Sequence, residues 1–195
     1  MIVKVLSLKG GVGKSIIALY LAKYMAEKGK KILLIDNDNI SLSSTLIEKS
    51  QINGVDIRKD MQSIPFDLLK NYDFIIIDYP TLFKEDKLDN MQDAVTILIS
   101  DITTLDDAYD YFKNISGKKV FILNMVPPFP DYIEAMLKKV KEVDICPSIV
   151  IPFIPNMFLS VMRENKIKND IRCLKTLSEL LIQGNLNCQL ISPLS

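Results

Sequence analysis

Short apolar runs recur along the chain, separated by longer stretches in which apolar residues return every three to four positions. Ile2–Leu8, Lys31–Asp36, Phe74–Asp78, Val95–Ser100, Lys119–Asn124 and Ser148–Pro152 read as strands. Most are apolar almost throughout rather than alternating, as in parallel strands covered on both faces. The helical period predicts helices over Lys14–Lys28, Thr103–Ile115, Asp131–Val143, Asn156–Asn165 and Asp170–Gln183. Gly29 and Gly117 stand where helix C-caps belong. Thr103 with Asp106, and Asp131 with Glu134, have the spacing of N-terminal capping pairs. This alternation predicts an α/β fold, a doubly wound and mostly parallel sheet with helices on both faces. Residues 1–183 form its single domain, and residues 184–195, without a charged side chain, form a loose tail. Residues 41–72 carry no clear period; a short helix near Leu42–Lys49 is the element suggested there.

Composition narrows the chemistry. The 195 residues are 48% hydrophobic, enough for a substantial core. Lys plus Arg and Asp plus Glu are 24 each, so any nucleic-acid binding has to come from a local patch. The chain has no histidine, which removes the usual general base and the commonest metal ligand. Cys146, Cys173 and Cys188 are never in CxxC spacing, which argues against a zinc or iron–sulfur site and points to a reducing compartment. No apolar run approaches about 18 residues, so no membrane insertion is expected. The strand-like start speaks against a signal peptide, and the expected location is cytoplasmic.

The strongest chemical signal is "LSLKGGVGKSIIALYLA", residues 6–22. A glycine-rich loop follows a strand and opens a helix, the setting of a phosphate-binding loop. Gly10, Gly11 and Gly13 let the backbone turn and expose its N–H groups, with Val12 between them. The start of the helix at Lys14, Ser15 and Ile16 adds its dipole. Lys14 can reach the β- and γ-phosphates and Ser15 can ligate Mg²⁺. The competing reading is a glycine turn with solvated lysines. The pattern G-x-x-x-x-G-K-[ST] fails here, because its first glycine falls on Leu8.

K-G-G-V-G-K-S resembles the deviant Walker A motif of the ParA/MinD superfamily of dimeric ATPases, and the likeness extends over residues 1 to about 165. The resemblance implies ATP and Mg²⁺ as cofactors and an ATP-dependent homodimer. Lys9 then reaches the phosphates of the other subunit while Lys14 serves its own. Asp36 and Asp38 in "LLIDNDN" resemble the family's D-x-D, Asp36 supporting Mg²⁺ and Asp38 orienting the attacking water. The continuation Asn39-Ile40-Ser41 departs from the family's usual Pro-Gln-Gly. Asp78, in "FIIIDYP", resembles the second acidic motif that supports Mg²⁺ through water, with Tyr79 in place of a small residue. Capping and turn roles remain the alternatives for these acids. Asn124 resembles the adenine-binding asparagine, and Pro152 with Phe153 resembles the segment packed on the base; a strand end and a proline turn are the alternative.

The branch of the family is less legible. A ParA-type role implies nonspecific DNA binding by the ATP dimer and release by a separate centromere-binding partner protein that stimulates hydrolysis. Arg163, Lys166, Lys168, Arg172 and Lys175 are the candidate DNA-binding patch, with Lys138, Lys139 and Lys141 a second group; solvated helix faces are the competing reading. A MinD-type role implies a basic amphipathic tail, and "GNLNCQLISPLS" holds no lysine or arginine. An iron–sulfur carrier would need CxxC. A regulatory scaffold that binds ATP with little hydrolysis stays open because of the altered sequence after Asp38.

Overall fold

The computed structural model describes residues 1–37, 46, 52–61, 63–82, 94–142, 147–164, 166–167 and 170–192. Its centre is a sheet whose strands are β1 (Ile2–Ser7), β2 (Ile32–Asp36), β3 (Val55–Lys59), β4 (Phe74–Asp78), β5 (Ala94–Ser100), β6 (Lys118–Val126), β7 (Ser148–Pro152) and β8 (Leu190–Ile191). Their order is β3-β2-β4-β1-β5-β6-β7-β8, and every recorded pairing is parallel. Helices α1 (Lys14–Glu27), α2 (Phe66–Asn71), α3 (Leu105–Lys113), α4 (Pro130–Glu142), α5 (Pro155–Leu159) and α6 (Arg172–Gln183) cover it. A π-helical turn, Ser160–Glu164, continues α5.

Successive side chains of the central strands point to opposite faces, so each strand feeds two cores. On one face Val3, Val5, Leu34, Ile76 and Ile97 pack with α1 and with Leu174, Leu177 and Leu181 of α6. On the other, Leu6, Leu98, Phe121 and Leu123 pack with Leu105 and Phe112 of α3 and Ile133 and Val140 of α4. Leu33, Ile35, Ile75 and Ile77 form a third cluster that takes in Leu68 of α2. Burial on both faces is why these strands read as continuous apolar runs.

The predicted strands all form, but β6 runs on to Val126, and β3, β8 and α2 were not foreseen. Edge strand β3, Val-Asp-Ile-Arg-Lys, buries only Val55 and so lacks the apolar run that marks the others. Part of the expected loose tail instead pairs with β7 as β8, where Ile191 is buried. The suggested helix at 42–49 lies outside the described residues apart from Leu46, which is helical and buried. The Thr103–Asp106 capping pair does not form: Thr104 is the N-cap without a side-chain bond, and the N–H groups of Thr103 and Thr104 donate to Asp101 instead. Asp131 lies inside the first turn of α4, which opens at Pro130. Cys173 is buried and free, whereas Cys188 is disulfide-bonded, which the reading of a reducing compartment did not foresee. Among the described residues no helix is long and apolar enough to cross a membrane.

Candidate functional site

In an open parallel sheet the crevice for a ligand lies beyond the C-terminal ends of the strands, where the winding reverses. Here that point is at β1, flanked by β4 and β5. Residues 8–13 leave β1 at this edge and enter α1. Gly11 and Gly13 adopt φ of 79° and 89°, the left-handed region that glycine enters without strain. A Cβ on Gly13 would stand 2.6 Å from Asn124 Nδ2, so this position has no room for one. The N-cap of α1 is Gly13, with no side-chain cap and no acidic residue in the first turn. The helix N-terminus thus keeps N–H groups and a partial positive charge for an anion. Val12 and Ile16 anchor the loop, Val12 buried and Ile16 packed against the main core.

The two lysines differ in setting. Lys14 Nζ donates to Asp78 Oδ1 at 2.8 Å, and both side chains are buried. Asp78 lies directly opposite Asp36 in the β2–β4 register, and both carboxylates are fully buried. Burial pushes the Asp78 carboxyl up; Lys14 and the Ser15 hydroxyl pull it back, and Asp36 adds to the rise. Lys9 is 42% exposed and donates to Asp101 Oδ2 at 2.6 Å and to Thr103 Oγ1 at 2.8 Å.

Asp36, Asp78 and Ser15 offer only hard oxygen donors, the kind Mg²⁺ selects. Among the described residues no group of three or more His, Cys, Asp or Glu could hold a metal. The two acids and the hydroxyl would supply part of the shell of a Mg²⁺ ion. Asp38 lies outside the described residues, as does Lys168.

Asn124 sits at a bulge in β6, between register positions Leu123 and Val126, with Met125 at φ 58°. The bulge turns its side chain inward, and Nδ2 donates to Val12 O at 2.8 Å. Asn124 thus braces the glycine loop, a role its position at a strand end did not announce. Phe153 N donates to Val126 O at 2.7 Å, which ties the β7 exit, including Pro152, to the β6 exit. The Phe153 ring lies against Phe158, centroids 5.8 Å apart.

Of the basic candidates, Arg163, Lys166 and Arg172 are exposed. Lys175 donates to Asp170 at 2.6 Å and lies over the Tyr24 ring, so part of its charge is already used. Asp101 and Thr103 are the partners the sequence reading missed. The signal was present: Asp101 directly follows an apolar strand, much as Asp36 and Asp78 close theirs.

Comparison with known proteins gives the family and the fold. The family model described as the CobQ/CobB/MinD/ParA nucleotide binding domain matches residues 3–185. An uncharacterized ATP-binding protein of Methanocaldococcus jannaschii is 50% identical over 58 residues, 29% of this chain and 22% of its own length, so the match spans about a fifth of that relative. A chain of the Aquifex aeolicus MinC:MinD cell division protein complex superposes with TM-score 0.65 at 16% identity, covering 96% of this chain and 98% of that one. A Borrelia burgdorferi protein described as a plasmid partition protein, bound to AMPPNP, gives TM-score 0.63 at 17% identity, covering 93% and 97%. At these identities the structural likeness speaks for the fold.

Proposed function

Because this chain belongs to the CobQ/CobB/MinD/ParA nucleotide-binding family, we propose that it is an ATP hydrolase that segregates DNA through an ATP-dependent sandwich dimer. The observation that carries this reading is the unequal setting of the two loop lysines. Lys14 points inward to Asp78, whereas Lys9 lies at the surface on Asp101. A buried lysine serves its own site; a surface lysine on the same loop is available to a second copy.

In this mechanism ATP lies on the N–H groups of residues 10–16, with its phosphates at the start of α1. Lys14 exchanges Asp78 for the β- and γ-phosphates. Asp36, Asp78 and Ser15 would hold Mg²⁺, which would supply charge neutralisation at the phosphates. Asp38 orients the attacking water, a carboxylate's task in a chain without histidine. Lys9 of the second copy meets the charge that spreads over the transferring phosphoryl, so hydrolysis waits on dimerisation. Asn124, Pro152 and Phe153 border the base. The dimer binds DNA nonspecifically through Arg163, Lys166 and Arg172, with Lys168 and Lys175 at the margin, and a separate partner protein triggers release.

Fluorescence anisotropy of a random-sequence duplex tests the reading, with ADP and with a non-hydrolysable ATP analogue at two salt concentrations. Binding with the analogue alone, weaker at the higher salt, is expected. Equal binding with both nucleotides, or none, would overturn the DNA role. A second reading, positioning of a membrane or protein cargo, draws on the exposed Phe158, Leu159 and Met162 beside Arg163. Liposome binding that requires the analogue would favour it.

A further inference from the structure

Asp101 is the first residue after β5, across the winding point from the glycine loop. Its Oδ1 accepts from Thr103 N at 3.0 Å, Thr104 N at 3.1 Å, Thr103 Oγ1 at 2.7 Å and Thr104 Oγ1 at 3.1 Å. These bonds fasten the turn that precedes α3 and tie the carboxylate to it. Oδ2 faces the other way and takes Lys9 Nζ at 2.6 Å. Lys9 also donates to Thr103 Oγ1 at 2.8 Å, which closes a ring of three side chains. The Asp101 carboxylate is 16% exposed, so it is better shielded from water than the lysine it holds.

The turn ahead of α3 uses only Oδ1, and a lysine 42% exposed fills no core. The Lys9 contact is therefore separable from the fold. We propose that Asp101 is a positioning residue that holds Lys9 in cis on the single chain, so that each protomer must release its lysine before the nucleotide dimer can form. This rests on the trans role assigned to Lys9 above. Asp101 is bound to its turn and cannot follow the lysine outward, whereas the four-carbon lysine stem can swing. The ammonium thus chooses between one carboxylate in cis and the phosphates of a second copy. The γ-phosphate adds charge that ADP lacks, so ATP is the nucleotide able to win the exchange. The latch sets the protein and ATP concentration at which dimers appear.

The test is analytical ultracentrifugation of the full chain with a non-hydrolysable ATP analogue and with ADP. Asp101→Asn keeps an oxygen for the Thr103 and Thr104 N–H groups but removes the charge that holds Lys9. Because two latches open per dimer, half-dimerisation with the analogue is expected at about three- to tenfold lower concentration than in the wild type. Thr103→Ala removes one acceptor of Lys9 and should shift it the same way, by less. In a Lys9→Ala background, Asp101→Asn should change nothing. An Asp101→Asn midpoint equal to or higher than that of a dimerising wild type would overturn the latch alone. A wild type that binds the analogue yet never dimerises, or a Lys9→Ala chain that dimerises like it, would overturn the trans reading of Lys9 and the latch with it.

Discussion

Lys14 Nζ lies 2.8 Å from Asp78 Oδ1, with the lysine 5% and the aspartate 0% exposed. The ammonium that the glycine loop aims at phosphate is thus paired with an acid that ends the neighbouring strand. In the proposed mechanism the lysine leaves this partner for phosphate, and the carboxylate it leaves would then be open to a metal ion.

Lys14→Ala is expected to abolish ATP binding by calorimetry. It also leaves a buried carboxylate without its cation, which costs about 3–5 kcal/mol at neutral pH. Burial already raises the Asp78 carboxyl, so the folded variant holds its proton to higher pH than the unfolded chain does. The folded state then binds more protons, and the stability of the variant should fall as pH rises, read from thermal midpoints. A variant that still binds ATP would remove the loop from the mechanism.

Gly13→Ala should be severe for its size. The residue would have to hold φ 89° with its Cβ 2.6 Å from Asn124 Nδ2, which itself is bonded to Val12 O. A loss of about 1–3 kcal/mol is expected, with weaker ATP binding. Asn124→Ala in the same chain relieves the clash, so the double variant should lose less than the sum of the two.

Asp38→Ala should lower single-turnover ATP hydrolysis by about 10²-fold or more and leave the ATP-bound dimer intact on gel filtration. Unchanged hydrolysis would return Asp38 to a turn residue.

Arg163→Glu with Arg172→Glu should weaken DNA binding and reduce the salt slope by about 2, with ATP affinity unchanged. Lys175→Glu should do less, because Lys175 is already bonded to Asp170.

Acid titration isolates Asp101. Its carboxyl lies at about 2: partial burial opposes ionisation, but the donors on Lys9, Thr103 and Thr104 outweigh it. A carboxylate with a depressed pKa stabilises the fold above its unfolded value, and that stability is lost as pH falls towards the folded one. Between pH of about 4 and 2 the thermal midpoint of Asp101→Asn should therefore decline less steeply than that of the wild type. Parallel curves would leave Asp101 no part in acid stability.

Much of the architecture was legible in the sequence because its signals are local. Strands β1, β2, β4, β5 and β7 are apolar runs, since burial on both faces requires it. The α1 start was legible because the glycines have to precede it. Strand β3 and the two-residue β8 were not, because each gains its strand identity from a neighbour at the sheet edge. The capping pair at Thr103 was misread because Asp101, two residues earlier, offers both N–H groups a carboxylate.

By itself the sequence determined a phosphate loop with two lysines, acids at strand ends and a doubly wound sheet. These follow from composition over a few neighbouring positions: glycine where φ is positive, apolar residues where both faces are covered. Only the tertiary structure decided what each lysine touches. Lys9 meets Asp101 and Asn124 meets Val12 across 92 and 112 positions. Those meetings depend on β1 lying between β4 and β5, and on a bulge in β6. Strand order is a property of the whole packed sheet, and periodicity within one segment carries no record of it.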